Sequence, residues 1–181
     1  MARTFDEIDA TLSAWLEAQP LYFVATAPSG ADGHVNLSPK GYDSLRVLGP
    51  KHVAYLDLTG SGAETIAHLR ENGRITVMAC AFDGPPRIVR LYGRGEVIPL
   101  DDDRFAALAE HFPSLPGARA VINVDVERIS SSCGFGVPLM DLVGDRSRLA
   151  DWADKKGPDG LADYRTDKNT ESIDGLPAYP T

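Results

Sequence analysis

Cysteine is nearly absent from this 181-residue chain, which has only Cys80 and Cys133. Their spacing is not that of a zinc site, and a disulfide is not expected in a reducing compartment. Cys80 ends the strand-like run Ile75-Thr76-Val77-Met78-Ala79-Cys80 and reads as a small buried hydrophobe. No apolar run approaches the roughly 20 residues of a membrane span, and the first residues, with Asp6 and Glu7 among them, lack the apolar stretch of a signal peptide. The expected location is therefore cytoplasmic, with no membrane partner. Positive charge is scarce: 18 Lys and Arg stand against 26 Asp and Glu, a net charge of −8. That argues against a nucleic-acid partner while leaving room for a local basic pocket. Several catalytic signatures are also missing. No Gly-x-Gly-x-x-Gly follows the first strand, and Gly93-Arg94-Gly95 sits mid-strand, the wrong context for a phosphate loop. There is no nucleophile elbow. The four histidines, His34, His52, His68 and His111, contain no i, i+4 pair, and so no helical metal site. His34, at a strand start, could face a haem or a substrate, or serve structure alone.

What is present suits one domain with a real core: 43% hydrophobic and 24% charged residues. Thr4 and Glu7 have capping-box spacing, and Phe5, Ile8, Leu12, Trp15 and Leu16 follow at helical intervals, predicting a helix that Pro20 closes. Strands are expected at residues 21–26 and 34–38, joined by a glycine-bearing hairpin loop, then at 45–48 and 52–58. A helix capped by Thr59 or Ser61 should run to Gly73, in the C-terminal stop position. Strands at 74–80 and 87–98 follow, the second holding Gly93 and Gly95, which suggest a bulge or a close backbone approach. Asp101-Asp102-Asp103 reads as a helix start. A strand at 120–126, extended over 128–132 after a bend, and a short helix at 144–152 complete the main body, residues 1–156. Residues 157–181 are polar with scattered prolines and read as an arm, disordered or lying on a partner. Strands in succession with helices inserted favour a mainly β fold, an antiparallel sheet or barrel with peripheral helices.

Two strand ends could share a phosphate. Lys40, between Pro39 and Gly41, supplies a point charge where backbone amides can approach. Ser61, Gly62 and Thr65 lie where a helix begins and free amides point at anions. Each element alone also reads as an ordinary turn or cap. Ser130 to Pro138, with Cys133, Phe135 and two glycines, is a tightly shaped loop beside a ligand or a plain turn.

Taken in order, Val35-Asn36-Leu37-Ser38-Pro39-Lys40-Gly41, Val53 to Leu58, Gly60 to Thr65, Arg74 to Val77 and Arg87 to Gly93 resemble the pyridoxamine 5′-phosphate oxidase-like flavoproteins over residues 15–126. The resemblance implies a split β-barrel that dimerises with flavin mononucleotide (FMN) at the subunit interface. It further implies an oxidoreductase passing hydride or electrons to a small-molecule substrate. By the same resemblance, the strand Val35, Asn36, Leu37, Ser38, Pro39 and Lys40 would run along the flavin, with Lys40 as the cationic contact. Leu56 and Asp57 would sit near the ring. Ser61, Gly62, Glu64 and Thr65 would match the phosphate loop, and Arg90, or Arg87, would face the cofactor. The oxidase has basic residues where this chain has Glu64-Thr65; a carboxylate repels phosphate, so Glu64 should point away or pair with an arginine. The oxidase's C-terminal product-binding motif is not visible, so the family name is not read as the activity. Two alternatives keep the fold: a reductase using a deazaflavin coenzyme, and a non-catalytic flavin- or haem-binding protein. No catalytic residue and no metal ligand are assigned.

Overall fold

The computed structural model describes residues 3–179. Among these residues eight strands and four helices follow in the order β1 (Arg3–Phe5), α1 (Ala10–Glu17), β2 (Tyr22–Thr26), β3 (Asn36–Lys40), β4 (Leu45–Gly49), β5 (His52–Leu58), α2 (Glu64–Asn72), β6 (Arg74–Cys80), β7 (Ile88–Pro99), α3 (Phe105–Ala109), β8 (Ala118–Ser132) and α4 (Arg148–Lys168). Every strand pair is antiparallel, along the path β3-β2-β6-β7-β8-β5-β4, with β1 added to β8. The chain is thus mainly β, as its strand order predicts. The two ends of the path, β3 and β4, share no ladder, which leaves the barrel split. Side chains bridge that gap: the Tyr22 hydroxyl meets Ser44 Oγ at 2.8 Å, and Lys40 reaches Asp57.

Period-two alternation sorts each strand into two faces. Tyr22, Val24, Val53, Tyr55, Val77, Val89 and Leu91 turn into one core. Ala54 and Leu56, on the other face of β5, join a second cluster with Phe112 and Ile98 beneath α3. The glycines of β7 act as the sequence suggests. The pairing of β7 with β8 slips between Tyr92 and Gly93, leaving Glu127 as the extra residue of a bulge. A Cβ on Gly93 would lie 2.1 Å from the Asp125 carbonyl oxygen.

Several boundaries differ from expectation. The Thr4–Glu7 capping box does not form, because Thr4 is in β1, paired with Ser130. Instead Asp9 caps α1, accepting from the Leu12 amide at 2.7 Å. β3 spans residues 36–40 rather than 34–38. Neither Thr59 nor Ser61 caps α2; Ala63 takes that place and offers no side-chain acceptor, whereas Gly73 is left-handed at its end as predicted. α3 begins at Phe105, and Asp102 pairs with Arg104 at 2.8 Å instead of starting the helix. The strand at 120–126 and its extension are one 15-residue strand.

The C-terminal part departs furthest. α4 runs to Lys168 with a break at Gly157 and Pro158. Residues 169–179 fold back on their own chain, with Ala178 and Tyr179 inside the main core. They are ordered against the body rather than unstructured; residues 180 and 181 lie outside the described part. Among the described residues, no helix is long and apolar enough to cross a membrane.

Candidate functional site

Edge strand β3 and the first turn of α2 are adjacent, and side chains tie them together. Asn36 Nδ2 donates to Thr65 Oγ1 at 3.0 Å and to Thr26 Oγ1 at 3.1 Å, and Ser38 Oγ donates to Asn36 Oδ1 at 2.9 Å. The Thr26 hydroxyl also meets His68 Nδ1 at 2.9 Å. His68 is fully buried, and its Nε2 has no partner among the described residues. Asn36, Ser38 and Lys40 therefore face inward. Between them Leu37 points outward and is 64% exposed, and Val35, just before the strand, is 74% exposed.

Lys40 does not present a free charge. Its Nζ lies 2.6 Å from Asp57 Oδ1, and the other oxygen of Asp57 accepts from Arg119 Nε at 2.7 Å. Burial alone would push the Asp57 carboxyl up, but Arg119 and then Lys40 outweigh it and hold the carboxyl at about 2. Arg119 continues to Asn169 Oδ1 at 2.9 Å, and Asn169 donates to the Gly60 carbonyl at 2.9 Å. The cluster of Lys40, Asp57 and Arg119 carries one net positive charge at the inner end of β5.

The loop before α2 is open. Ser61 and Gly62 are exposed, and a Cβ on Gly62 would meet nothing within 4 Å. With no side-chain cap on α2, the first-turn amides form a positive end, and the one acidic side chain of that turn is Glu64. Glu64 turns away, as its charge requires: its carboxylate accepts from the Ile173 amide at 3.1 and 3.3 Å. Next to it, Asp174 accepts from the His34 amide at 2.8 Å and pairs with His34 Nδ1 at 2.7 Å. The hydrogen bond that the Asp174 carboxylate accepts raises the His34 pKa. The segment 169–174 thus borders the residues before β3 and the loop that leads into α2.

The outward face of the sheet is uncovered over β3, β2, β6 and the first part of β7. Register places Leu37, Ala25, Thr76 and Tyr92 in one row and Pro39, Phe23, Met78 and Arg90 in the next. A cleft of about 380 Å³ lies against this face, lined by Val35, Ala25, Thr76 and Tyr92 among others.

The structure therefore brings Asn36, Ser38, Thr65 and the open Ser61-Gly62 loop together, and it buries Leu56 and Asp57 away from that junction. Arg90 lies on the outward face, opposite Lys40. Leu56 is 3% exposed and packs under α3, on the face of β5 turned away from the junction. Asp57 is fully buried in its ion pairs. For a phosphate, the amides and hydroxyl at α2 fit as donors. A dedicated unpaired cation is not among them. Arg119, Asn169, Thr26 and the segment 169–174 escaped sequence reasoning. The one signal for Arg119 is a charged residue at the head of an apolar strand.

The sequence profile of the family described as pyridoxamine 5′-phosphate oxidase matches residues 8–133. The Aspergillus flavus pyridoxamine 5′-phosphate oxidase family protein ustO is 46% identical over 190 residues, covering 96% of this chain and 76% of that protein. Among solved structures, HupZ of Group A Streptococcus is similar with a TM-score of 0.54 and 25% identity, covering 67% of this chain and 91% of that one.

Proposed function

Because the chain belongs to the pyridoxamine 5′-phosphate oxidase family, we propose that it is a homodimeric FMN-binding oxidoreductase acting on a small molecule. The observation that carries this reading is the junction of β3 and α2, where a strand with one unpaired edge lies against an uncapped helix start. The Ser61 hydroxyl and the first-turn amides of α2 would hold the phosphate. The exposed edge of β3, with Val35 and Leu37, would carry the flavin ring. A second copy over the outward face would keep water from it. Bound there, the flavin would supply hydride or electron transfer, while the protein orients it and excludes competing reactions.

Titration of the purified protein with FMN, followed by quenching of flavin fluorescence, tests the site. Gly62→Asp places a carboxylate beside the amides in open space, and it should weaken binding by roughly tenfold or more, the worth of one charge-assisted hydrogen bond. Failure to take up FMN, or unchanged affinity in Gly62→Asp, would sink the assignment. Turnover of NADH or NADPH by the loaded protein separates an enzyme from a carrier.

At the junction Lys40 is already paired with Asp57, which favours one second reading, a deazaflavin coenzyme. Its phosphodiester carries a single negative charge, which asks less of the loop. The visible spectrum decides: FMN shows two bands and deazaflavin one, shifted to the blue.

A further inference from the structure

A cleft of about 470 Å³ opens where β1, α1, the turn at 83–86 and the end of β8 meet. Arg3, Phe5, Trp15, Arg87, Ser131 and Ser132 supply its chemistry. The Arg87 guanidinium lies 4.8 Å from the centroid of the Trp15 ring and 5.8 Å from that of Phe5, and Arg3 stands 5.7 Å over Phe5. Among the described residues these rings are the only partners of either guanidinium, with no carboxylate in ion-pairing range. In a chain with a net charge of −8, two neighbouring arginines without a counter-ion are unexpected. Stacking fixes the plane of a guanidinium and leaves its N–H edge free for a fork onto an oxyanion.

Two further features shape the cleft. Arg90 donates to Ser132 Oγ at 3.2 Å, so the Ser132 O–H keeps its proton for another acceptor and a third positive charge stands alongside. Gly134 is buried and left-handed, and a Cβ there would lie 2.9 Å from the Arg87 nitrogen. The loop after β8 is thereby pressed onto the Arg87 backbone, which sets the base of that side chain. This accounts for the glycine at position 134.

We propose that this cleft binds the phosphomonoester group of a small molecule, gripped by Arg87 and Arg3 with the Ser132 hydroxyl. A dianion matches several uncompensated guanidiniums better than a carboxylate does, and its oxygens suit the arginine fork. Arg3, Arg87 and Ser132 take no part in the β3–α2 junction, so the site stands whether or not the protein carries a flavin.

Trp15 is a built-in reporter, since the only other tryptophan is Trp152. In a Trp152→Phe background, Trp15 emission is followed during titration with phenyl phosphate and, separately, benzoate. Phenyl phosphate should saturate the signal, and inorganic phosphate should compete with it. Arg87→Gln and Arg3→Gln, both at solvent-accessible positions, should each raise the midpoint by roughly tenfold or more. Lys155→Gln, on exposed α4 surface, should leave it unchanged. No saturation by phenyl phosphate, saturation by benzoate alone, or wild-type midpoints in both arginine variants would overturn the proposal.

Discussion

Asp57 shows how one side chain can set the character of a whole strand end. Fully buried, it survives as a carboxylate because Lys40 and Arg119 each hold one of its oxygens. Removing one member of such a group leaves buried charge uncompensated. Asp57→Asn should therefore lower stability by about 3–5 kcal/mol in urea unfolding, and Lys40→Met by less, since Arg119 remains. The pH dependence follows from the depressed pKa. Unfolded, the carboxyl titrates near 3.9; folded, it sits at about 2. Its stabilisation is complete above about pH 4 and is lost as pH falls toward 2. The wild type should lose more stability across that window than Asp57→Asn, and equal losses would show that the pair is not the acid-sensitive element. Lys40 was legible in the sequence as a cation at a strand end. Its partner was not, because Asp57 is 17 residues away and Arg119 a further 62, and nothing local links them.

Strands were read more accurately than helices. Residues 52–58 and 74–80 form strands with the expected bounds, since runs rich in β-branched and aromatic residues have one local solution. The start of α1 differs from expectation because a distant strand competed for it. Thr4 could cap a helix, but β8 offers it a ladder, and the ladder wins. The break in α4 follows from local chemistry, a left-handed Gly157 before Pro158, yet which surface the second half covers does not. The β7–β8 pair permits a sharp test. Gly93→Ala would drive a methyl into the Asp125 carbonyl, an atom the ladder holds in place, and should cost about 2–3 kcal/mol. Gly30→Ala meets nothing within 4 Å and should stay within about 0.5 kcal/mol. Thermal unfolding of both variants checks the contrast, and a neutral Gly93→Ala would mean that the bulge yields freely.

Across the whole molecule, the main asymmetry is between a covered inner face and an outer one left bare over β3, β2, β6 and the first part of β7. Val35, Leu37 and Tyr92 are large apolar groups left exposed on one side of the sheet. Phe135, Leu139, Leu142 and Val143 are exposed in the stretch between β8 and α4. Such surface is ordinarily buried by association. The proposed dimer predicts that sedimentation at micromolar concentration will give twice the chain mass, and that Leu37→Asp will give one. A wild-type monomer would remove the second copy from the proposed flavin site. By itself the sequence determined the mainly β class, most strands, the glycine devices of β7 and the family, because each follows from local periodicity or from short motifs. Only the tertiary structure decided that Lys40 is spent on Asp57, that Arg90 faces away from it, and that the C-terminal segment borders the open loop. Those outcomes depend on which strand faces meet across the barrel, and alternation along one strand defines two faces without saying what lies against either.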